Sequence, residues 1–207
     1  MAAPHDHPGG TNPNIRNLRV ETLYQAHYTL RQASFEQRTL DGRWVPIVRE
    51  AYDRGNGAAA LLHNVEHDTI LLVRQYRLPA HLNDHPDGML LEVPAGLLDD
   101  GEEAEDALRR ELQEEVGHTV GALQRLFQLY MSPGSITEHL TFFAGEYTDA
   151  TRTSAGGGEA SEGEDLEIIE VPFAEAQAMV ADGRICDAKT VILLQWAQTQ
   201  RGASTAP

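Results

Sequence analysis

The sequence contains a single cysteine, Cys186, which excludes an internal disulfide bond. It therefore does not belong to the disulfide-stapled class of small secreted proteins, and the cytoplasm is the expected location. No apolar run approaches the roughly 20 residues that a membrane-spanning helix needs, so we expect a soluble protein. Residues 1–14 lack the charged start and apolar stretch of a secretory signal and are predicted to form a disordered tail.

Basic side chains are also few, because 16 Lys and Arg residues face 32 Asp and Glu residues, for a formal net charge of -16. Nucleic-acid-binding proteins present basic faces to phosphate, so this balance excludes that class. If the ligand of such an acidic protein is anionic, the protein can hold it only by placing divalent cations between its carboxylates and the ligand, helped by a few local bases. Clustered carboxylates are therefore the feature to expect at a functional site.

Hydrophobic patterns and turn signals divide the chain into alternating strands and helices. Strand-like patches occupy residues 20–37, and Asp41-Gly42 predicts a tight hairpin turn. Further strands are predicted at residues 58–62, 69–75, 89–93, 120–130, 140–147 and 166–171. Helices are predicted at residues 102–116, after Pro172, and from a cap at Asp187 to about residue 200. Residues 151–165 form a Gly-rich acidic loop.

Carboxylates are concentrated in the predicted helix at residues 102–116. Glu111, Glu114 and Glu115 lie at positions i, i+3 and i+4 and share one helix face. They repel each other unless a cation lies among them, and carboxylate oxygens are ligands that Mg²⁺ prefers. A solvated acidic helix is the alternative interpretation. Asp99 or Asp100 is expected to cap the start of this helix, and Gly117 to end it in a left-handed conformation.

The spacing of these residues favours a metal site, because it resembles the sequence motif of the Nudix family. The pattern Gly-x5-Glu-x7-Arg-Glu-apolar-x-Glu-Glu-x-Gly is matched at Gly96, Glu102, Arg110, Glu111, Leu112, Glu114, Glu115 and Gly117. One position departs from the family, which prefers an apolar residue where His118 stands. The resemblance implies a Nudix-type α/β fold, an α/β/α sandwich with a mixed sheet, here with an N-terminal antiparallel β extension.

The resemblance also implies roles for residues of the motif. Glu111 and Glu115 would bind the metal together with the backbone carbonyl of Ala95, and Arg110 would orient the helix carboxylates. Glu102 would be structural, whereas Glu114 remains open between a ligand and a supporting residue. The implied cofactor is Mg²⁺, with Mn²⁺ as an alternative.

Segments outside the motif are similar to the nucleotide-sugar branch of the family, and most of all to bacterial GDP-mannose pyrophosphatases. They comprise Pro133, sixteen residues after Gly117, and residues 49–58, 155–158 and 187–191. The implied reaction is hydrolysis of GDP-mannose to GMP and mannose 1-phosphate. ADP-ribose is an alternative substrate, and a non-catalytic nucleotide-sugar sensor is an alternative function. The implied substrate contacts are Arg49, Glu50, Arg77, Gly96, Leu97, Glu138 and Lys189.

In the acidic loop, the resemblance implies that Glu164 completes the metal site, with Glu162 as its rival. The attacking water would lose its proton to Glu114, Glu162 or Glu164. Lys189 is the only lysine in the chain and falls in the first turn of a helix, where the macrodipole disfavours a cation unless an anion is bound. Arg74 and Arg77 would point to opposite sides of a strand, so only Arg77 is expected to reach the phosphates.

The predicted organisation has four parts. Residues 1–14 and 202–207 form disordered tails, residues 15–57 a β-rich dimerisation region, and residues 58–201 the Nudix hydrolase domain. The subfamily resemblance and the extra strands before Gly55 together imply a homodimer in which the N-terminal strands complete the partner's base pocket. Neither a nucleic acid nor a membrane is an expected partner.

Overall fold

The computed structural model describes residues 12–159 and 165–204, and these residues form two compact units. One unit comprises the chain up to Asn56 together with Tyr130–Glu138, and the other comprises Gly57–Leu129 together with the chain from His139 onward. Within the described residues, no helix has the length and apolar character needed to cross a membrane.

The first unit is built on a three-stranded antiparallel sheet in the order β1 (Ile15–Gln25), β2 (Thr29–Arg38), β3 (Trp44–Asp53). The predicted hairpin turn joins β2 to β3, where Gly42 has a φ of +86° and the Thr39 N–H donates to the Arg43 carbonyl. None of the described residues 12–56 is buried. The sheet therefore lacks the buried apolar core that normally stabilises a β-structure of this size.

The second unit contains a seven-stranded sheet. Its main strands follow the order β10-β5-β4-β9-β8, while β6 pairs with β5 and β7 pairs with β4. The strand bounds are β4 (Gly57–Asn64), β5 (Thr69–Tyr76), β6 (Met89–Glu92), β7 (Ala95–Leu97), β8 (Leu123–Tyr130), β9 (His139–Glu146) and β10 (Glu167–Pro172). β4 runs parallel to β9 and antiparallel to β5, so the sheet is mixed, as predicted.

Helices cover both faces of this sheet. Their bounds are α1 (Leu78–Leu82), α2 (Ala104–Glu115), α3 (Phe173–Ala181) and α4 (Ala188–Ser204). Side chains alternate along β4, and one face packs Ala58, Ala60 and Leu62 against Leu108 and Leu112 of α2. On the other face, Leu61 and His63 share a cavity with Trp196 and Ala197 of α4. The predicted α/β/α sandwich is confirmed.

The ends of the helices test the predicted caps. Asp187 caps α4 as predicted, since its Oδ2 accepts the Thr190 N–H at 3.0 Å, and Gly117 follows α2 with a φ of +73°. The predicted cap of α2 by Asp99 or Asp100 is wrong. A turn between Asp99 and Glu102 precedes the helix, and Glu103 occupies the N-cap position without a side-chain cap hydrogen bond.

Candidate active site

Arg110 lies among the carboxylates of the motif. Its Nη1 is 2.9 Å from Glu111 Oε1 and 3.1 Å from Glu114 Oε2, and its Nη2 is 3.3 Å from Glu102 Oε2. Nη2 also donates to the carbonyl of Leu97. Burial disfavours the charge on Arg110, but Glu102 and Glu111 outweigh that effect and raise its pKa. The guanidinium therefore offsets the repulsion within the cluster and joins α2 to β7.

Glu111 and Glu115 both lie against the short strand β7. The Glu115 side chain is 1% exposed, and its Oε2 accepts the Ala95 N–H at 3.0 Å. Glu111 occupies the space beside Gly96, where an added Cβ would stand 1.9 Å from Glu111 Cδ. Only a glycine at position 96 allows this approach, since real Cβ atoms are essentially never found within 3.0 Å of another heavy atom.

The donor atoms at this end of α2 fit a hard divalent cation. Glu111, Glu115 and the carbonyl of Ala95 offer oxygen ligands of the type that Mg²⁺ and Mn²⁺ take. Among the described residues, however, no group of three or more His, Cys, Asp or Glu side chains forms a complete cation site. Glu162 and Glu164, the two candidates for the additional ligand, lie outside the described residues.

The Gly-rich loop is attached to the C-terminal end of α2. The N–H groups of Gly157 and Gly158 donate to the carbonyls of Glu115 and Glu114 at 2.8 and 3.0 Å. The Gly157 carbonyl in turn accepts the N–H of Leu166 at 3.0 Å. These bonds satisfy helix-end carbonyls and hold both sides of the loop beside the metal-ligand candidates.

His118, the position that departs from the motif, is buried despite its polar ring, with 6% exposure. Its Nδ1 lies 2.9 Å from Thr151 Oγ1, and its ring meets Tyr147 edge-on with 5.2 Å between centroids. Burial lowers the pKa of His118, with a further contribution from Arg152. A neutral imidazole with one hydrogen-bond partner thus fills the place of the apolar side chain that the family prefers.

Arg77 and Lys189 meet at a third residue, Glu92, at the end of β6. Arg77 binds Glu92 with two hydrogen bonds of 2.8 Å, and Lys189 Nζ binds Glu92 Oε2. Lys189 also lies 3.1 Å from Asp187 Oδ1. The conflict predicted between Lys189 and the helix dipole is therefore resolved by two carboxylates of the chain itself, without the bound anion that the sequence argument invoked.

Arg74 and Arg77 have different partners, as predicted, but they do not lie on one strand, so the predicted cause of their separation is wrong. β5 ends at Tyr76, so Arg77 lies beyond the strand and precedes α1. Arg74 instead pairs with Asp87 and Glu167. Glu92 itself was missed, and its signal in the sequence was a single carboxylate that interrupts the apolar run of residues 89–93.

Of the other predicted substrate contacts, Gly96 and Leu97 lie in β7 of the second unit, and the remaining three belong to the first unit. Arg49 and Glu50 are exposed on β3, where Arg49 Nη1 donates to the Val48 carbonyl. Glu138 is 8% exposed and lies 3.4 Å from Arg54 Nε. The guanidinium of Arg54 also lies over the ring of Tyr28, with 5.5 Å between Arg54 Cζ and the ring centroid.

Comparison with known proteins matches both parts of the chain. Residues 53–194 match the NUDIX domain model, and residues 14–52 match the model of the GDP-mannose pyrophosphatase NudK N-terminal domain. A GDP-mannose pyrophosphatase of Klebsiella pneumoniae is 47% identical over 90% of this chain and 92% of its own length. One of Cronobacter sakazakii is 45% identical over 89% of this chain and 95% of its own.

A solved structure described as an ADP compounds hydrolase has the same fold. It superposes with a TM-score of 0.69 and 25% identity, and covers 96% of this chain and 99% of its own. The fold, the carboxylate cluster on α2 and the extent of the NUDIX match agree. The chain belongs to the Nudix family.

Proposed function

We propose that the protein hydrolyses the pyrophosphate bond of a nucleoside diphosphate sugar, GDP-mannose, to GMP and mannose 1-phosphate. The observation that carries this proposal is the cluster around Arg110, which gathers Glu102, Glu111 and Glu114. Clustered carboxylates of this kind suit an enzyme that holds a cation next to a phosphate. The relatives described above, which share nearly half of their residues with this chain, carry the name GDP-mannose pyrophosphatase.

The metal would be Mg²⁺ or Mn²⁺. Glu111, Glu115 and the carbonyl of Ala95 would hold it, together with Glu164 or its rival Glu162. When bound, the cation neutralises charge on the diphosphate and lowers the pKa of water. Burial of Glu115 and the glycine at position 96 support this assignment, because they hold two carboxylates against one short strand.

The chemical step is attack by water on one phosphorus of the diphosphate. A bond forms between the water oxygen and phosphorus, the bond from that phosphorus to the bridging oxygen breaks, and the bridging oxygen stays on the other phosphate. The proton goes to Glu114, Glu162 or Glu164, which act here as alternative general bases. Arg110 keeps Glu111 and Glu114 oriented while this occurs.

The substrate contacts that we propose are described for each unit by itself. In the second unit, Arg77, Lys189 and the backbone of Gly96 and Leu97 would contact the phosphates. In the first unit, Arg49, Glu50 and Glu138 would be substrate contacts. Arg77 and Lys189 lie close enough to share the Glu92 carboxylate, so they offer two positive charges to the two phosphates of one substrate.

We also propose a homodimer whose N-terminal sheet contacts the partner. Its described residues expose large apolar side chains, including Leu18, Leu23, Tyr24 and Val48, each more than 45% exposed. A sheet without a core of its own gains stability when a second copy covers it. The same contact would let the N-terminal strands complete the partner's base pocket.

ADP-ribose is the second candidate substrate, favoured by the structural match to a protein described as an ADP compounds hydrolase. A panel of GDP-mannose, ADP-ribose, GDP-glucose and UDP-glucose, assayed for product with Mg²⁺ or Mn²⁺ and with chelator, separates the candidates. We expect the largest kcat/KM for GDP-mannose and none in chelator. A preference for ADP-ribose would reassign the substrate, and tight binding of GDP-mannose without turnover would make the protein a sensor.

A further inference from the structure

The buried carboxylate of Glu92 has no role in the chemistry described so far. It lies at the end of β6 with 1% of its surface exposed, inside a sheet whose neighbouring residues are apolar. Burying a charge this deeply is costly unless it is paired and hydrogen-bonded. Its presence at this place therefore calls for an explanation from the groups that surround it.

Glu92 uses both of its oxygens on the two cations assigned to the phosphates. Oε1 accepts from Arg77 Nε and Oε2 accepts from Arg77 Nη2, each at 2.8 Å, and Oε2 also binds Lys189 Nζ. Burial alone would raise the pKa of Glu92, but Arg77 and Lys189 lower it to about 2. The carboxylate is therefore ionised at any pH at which the enzyme would work.

The same cluster is tied to the backbone next to it. Asp187 Oδ2 accepts from the backbone N–H and the hydroxyl of Thr190, and Thr190 Oγ1 accepts the N–H of Val93 at 2.8 Å. Val93 follows Glu92 directly, so the first turn of α4 and the end of β6 are locked together. These hydrogen bonds fix the position from which the Lys189 side chain reaches Glu92.

The cluster also lies near the metal-ligand candidates. Burial opposes the charge on Arg77, but the hydrogen bonds and charge of Glu92, followed by the charges of Glu115 and Asp187, raise its pKa. Glu115 in turn binds the N–H of Ala95, three residues after Glu92. One short segment, residues 92–95, thus connects the cation pair to a carboxylate of α2.

We infer that Glu92 is a positioning residue, which holds Arg77 and Lys189 side by side so that both can contact the diphosphate of the substrate. This inference rests on the proposed substrate contacts of Arg77 and Lys189. Without Glu92, the two like charges would repel each other, and two long side chains would have to be ordered when substrate binds. Glu92 thus removes part of the entropy cost of binding in advance.

The test is Glu92→Gln, which keeps the size of the side chain and removes its charge. We expect kcat/KM for GDP-mannose to fall roughly tenfold, mainly through a higher KM. Glu170→Gln is the matched control, because Glu170 accepts hydrogen bonds from Thr69 and Tyr147 and pairs with neither Arg77 nor Lys189. Its KM should stay within about twofold of the wild type. An unchanged KM in Glu92→Gln would overturn the inference.

A double-mutant cycle separates positioning from a structural role. In a Lys189→Met background the effect of Glu92→Gln should shrink to less than about threefold, because one of its two partners is already absent. An equal effect in both backgrounds would mean that Glu92 acts on the fold, and would overturn the inference. If Glu92→Gln does not fold, Glu92→Asp replaces it, since its shorter carboxylate keeps the charge but cannot reach both cations. A KM unchanged in a folded Glu92→Asp would be equally decisive.

Failure of the proposed function shows up separately, in the wild-type protein. If the wild type prefers another nucleotide sugar, the same variants are compared on that substrate. If it binds GDP-mannose without turnover, the dissociation constant measured by calorimetry in Mg²⁺ replaces KM. In either case the inference stands only if Glu92→Gln weakens the measured interaction and Glu170→Gln does not.

Discussion

Gly96 and Glu111 are in such close contact that the glycine leaves no room for a side chain. An added Cβ would lie 1.9 Å from Glu111 Cδ and 2.0 Å from Oε1. Because Glu111 must hold its carboxylate beside β7 to serve as a ligand, any side chain at position 96 has to push it away. The glycine at this position of β7 is therefore a requirement of the metal site that we propose.

Gly96→Ala should consequently lower kcat by at least about a hundredfold, while the far-ultraviolet circular dichroism stays unchanged. Gly121→Ala is the control, because an added Cβ at position 121 meets nothing within 4 Å. We expect wild-type kinetics for that variant. Equal kinetics in Gly96→Ala and Gly121→Ala would contradict the placement of Glu111 in the site.

Glu115→Gln should abolish turnover and leave the fold intact. The amide keeps the shape of the side chain and an oxygen for the Ala95 N–H, but it loses the charge that a cation needs. We expect kcat to fall by roughly 10³ or more, and added Mg²⁺ to raise the melting temperature less than in the wild type. Asp106→Asn, an exposed position on the same helix, should behave like the wild type. Wild-type kinetics in Glu115→Gln would refute the metal assignment.

Arg110→Lys should reduce activity, because an ammonium group cannot reach Glu102, Glu111 and Glu114 in the geometry of a guanidinium. We expect kcat to fall about tenfold or more. Arg109→Lys provides a control one residue away, since Arg109 binds Glu105 and the carbonyls of Val120 and Gly121. Steady-state kinetics of both variants give the comparison, and an equal loss in both would point to general damage to α2.

The carboxylate face of α2 could be predicted from the sequence, because the motif residues are close together in the chain and a helix has a fixed period. Glu111, Glu114 and Glu115 could be placed on one face without knowledge of the rest of the fold. The cap at Asp187 could be predicted for the same reason, since Asp187 binds the N–H of Thr190, only three positions away. Local rules of this kind predicted the core of the candidate site.

The pairing of Glu92 with Lys189 could not be predicted, because the two residues are 97 positions apart. Only the pairing of β5 with β6, and the docking of α4 on the sheet, bring the two side chains together. β7 was missed because three residues that include Gly96 carry no strand period. The N-cap of α2 was misplaced because the turn at Asp99 also favours an aspartate.

Acid should weaken the contact between Asp68 and its partners. Hydrogen bonds from Arg201 and then from His63 lower the pKa of Asp68 to about 2. A lowered pKa in the folded state adds stability above the unfolded value near 4, and this stability is lost as the pH falls towards 2.

Asp68→Asn should therefore be less stable than the wild type at pH 7, by no more than about 1 kcal/mol, because Asp68 is largely exposed. Urea unfolding at pH 7, 5 and 3.5 measures this difference in the free energy of unfolding. It should be similar at pH 7 and 5 and smaller at pH 3.5. A difference that grows as the pH falls would contradict the assignment.

The proposed homodimer predicts a mass by light scattering of twice the 22.8 kDa of the chain. Val48→Lys places a charge on the exposed apolar surface of β3 and should shift the protein towards the monomer. Leu40→Lys is the control, because Leu40 is fully exposed in the hairpin turn. A monomeric wild type would refute the dimer, and dissociation by both variants alike would place the interface elsewhere.

The hydrogen bonds of Gly157 have a consequence for how the enzyme tolerates insertions. The Gly157 N–H donates to the Glu115 carbonyl, and the Gly157 carbonyl accepts the N–H of Leu166. These two hydrogen bonds hold Gly157 and Leu166 together at the end of α2. Residues inserted between Gly157 and Leu166 would leave α2 where it is, and doubling the length of a loop costs only about 0.6 kcal/mol of closure free energy. A longer segment would thus leave Glu111 and Glu115 of α2 in place and would change only the spacing of Glu162 and Glu164, the two ligand candidates within it.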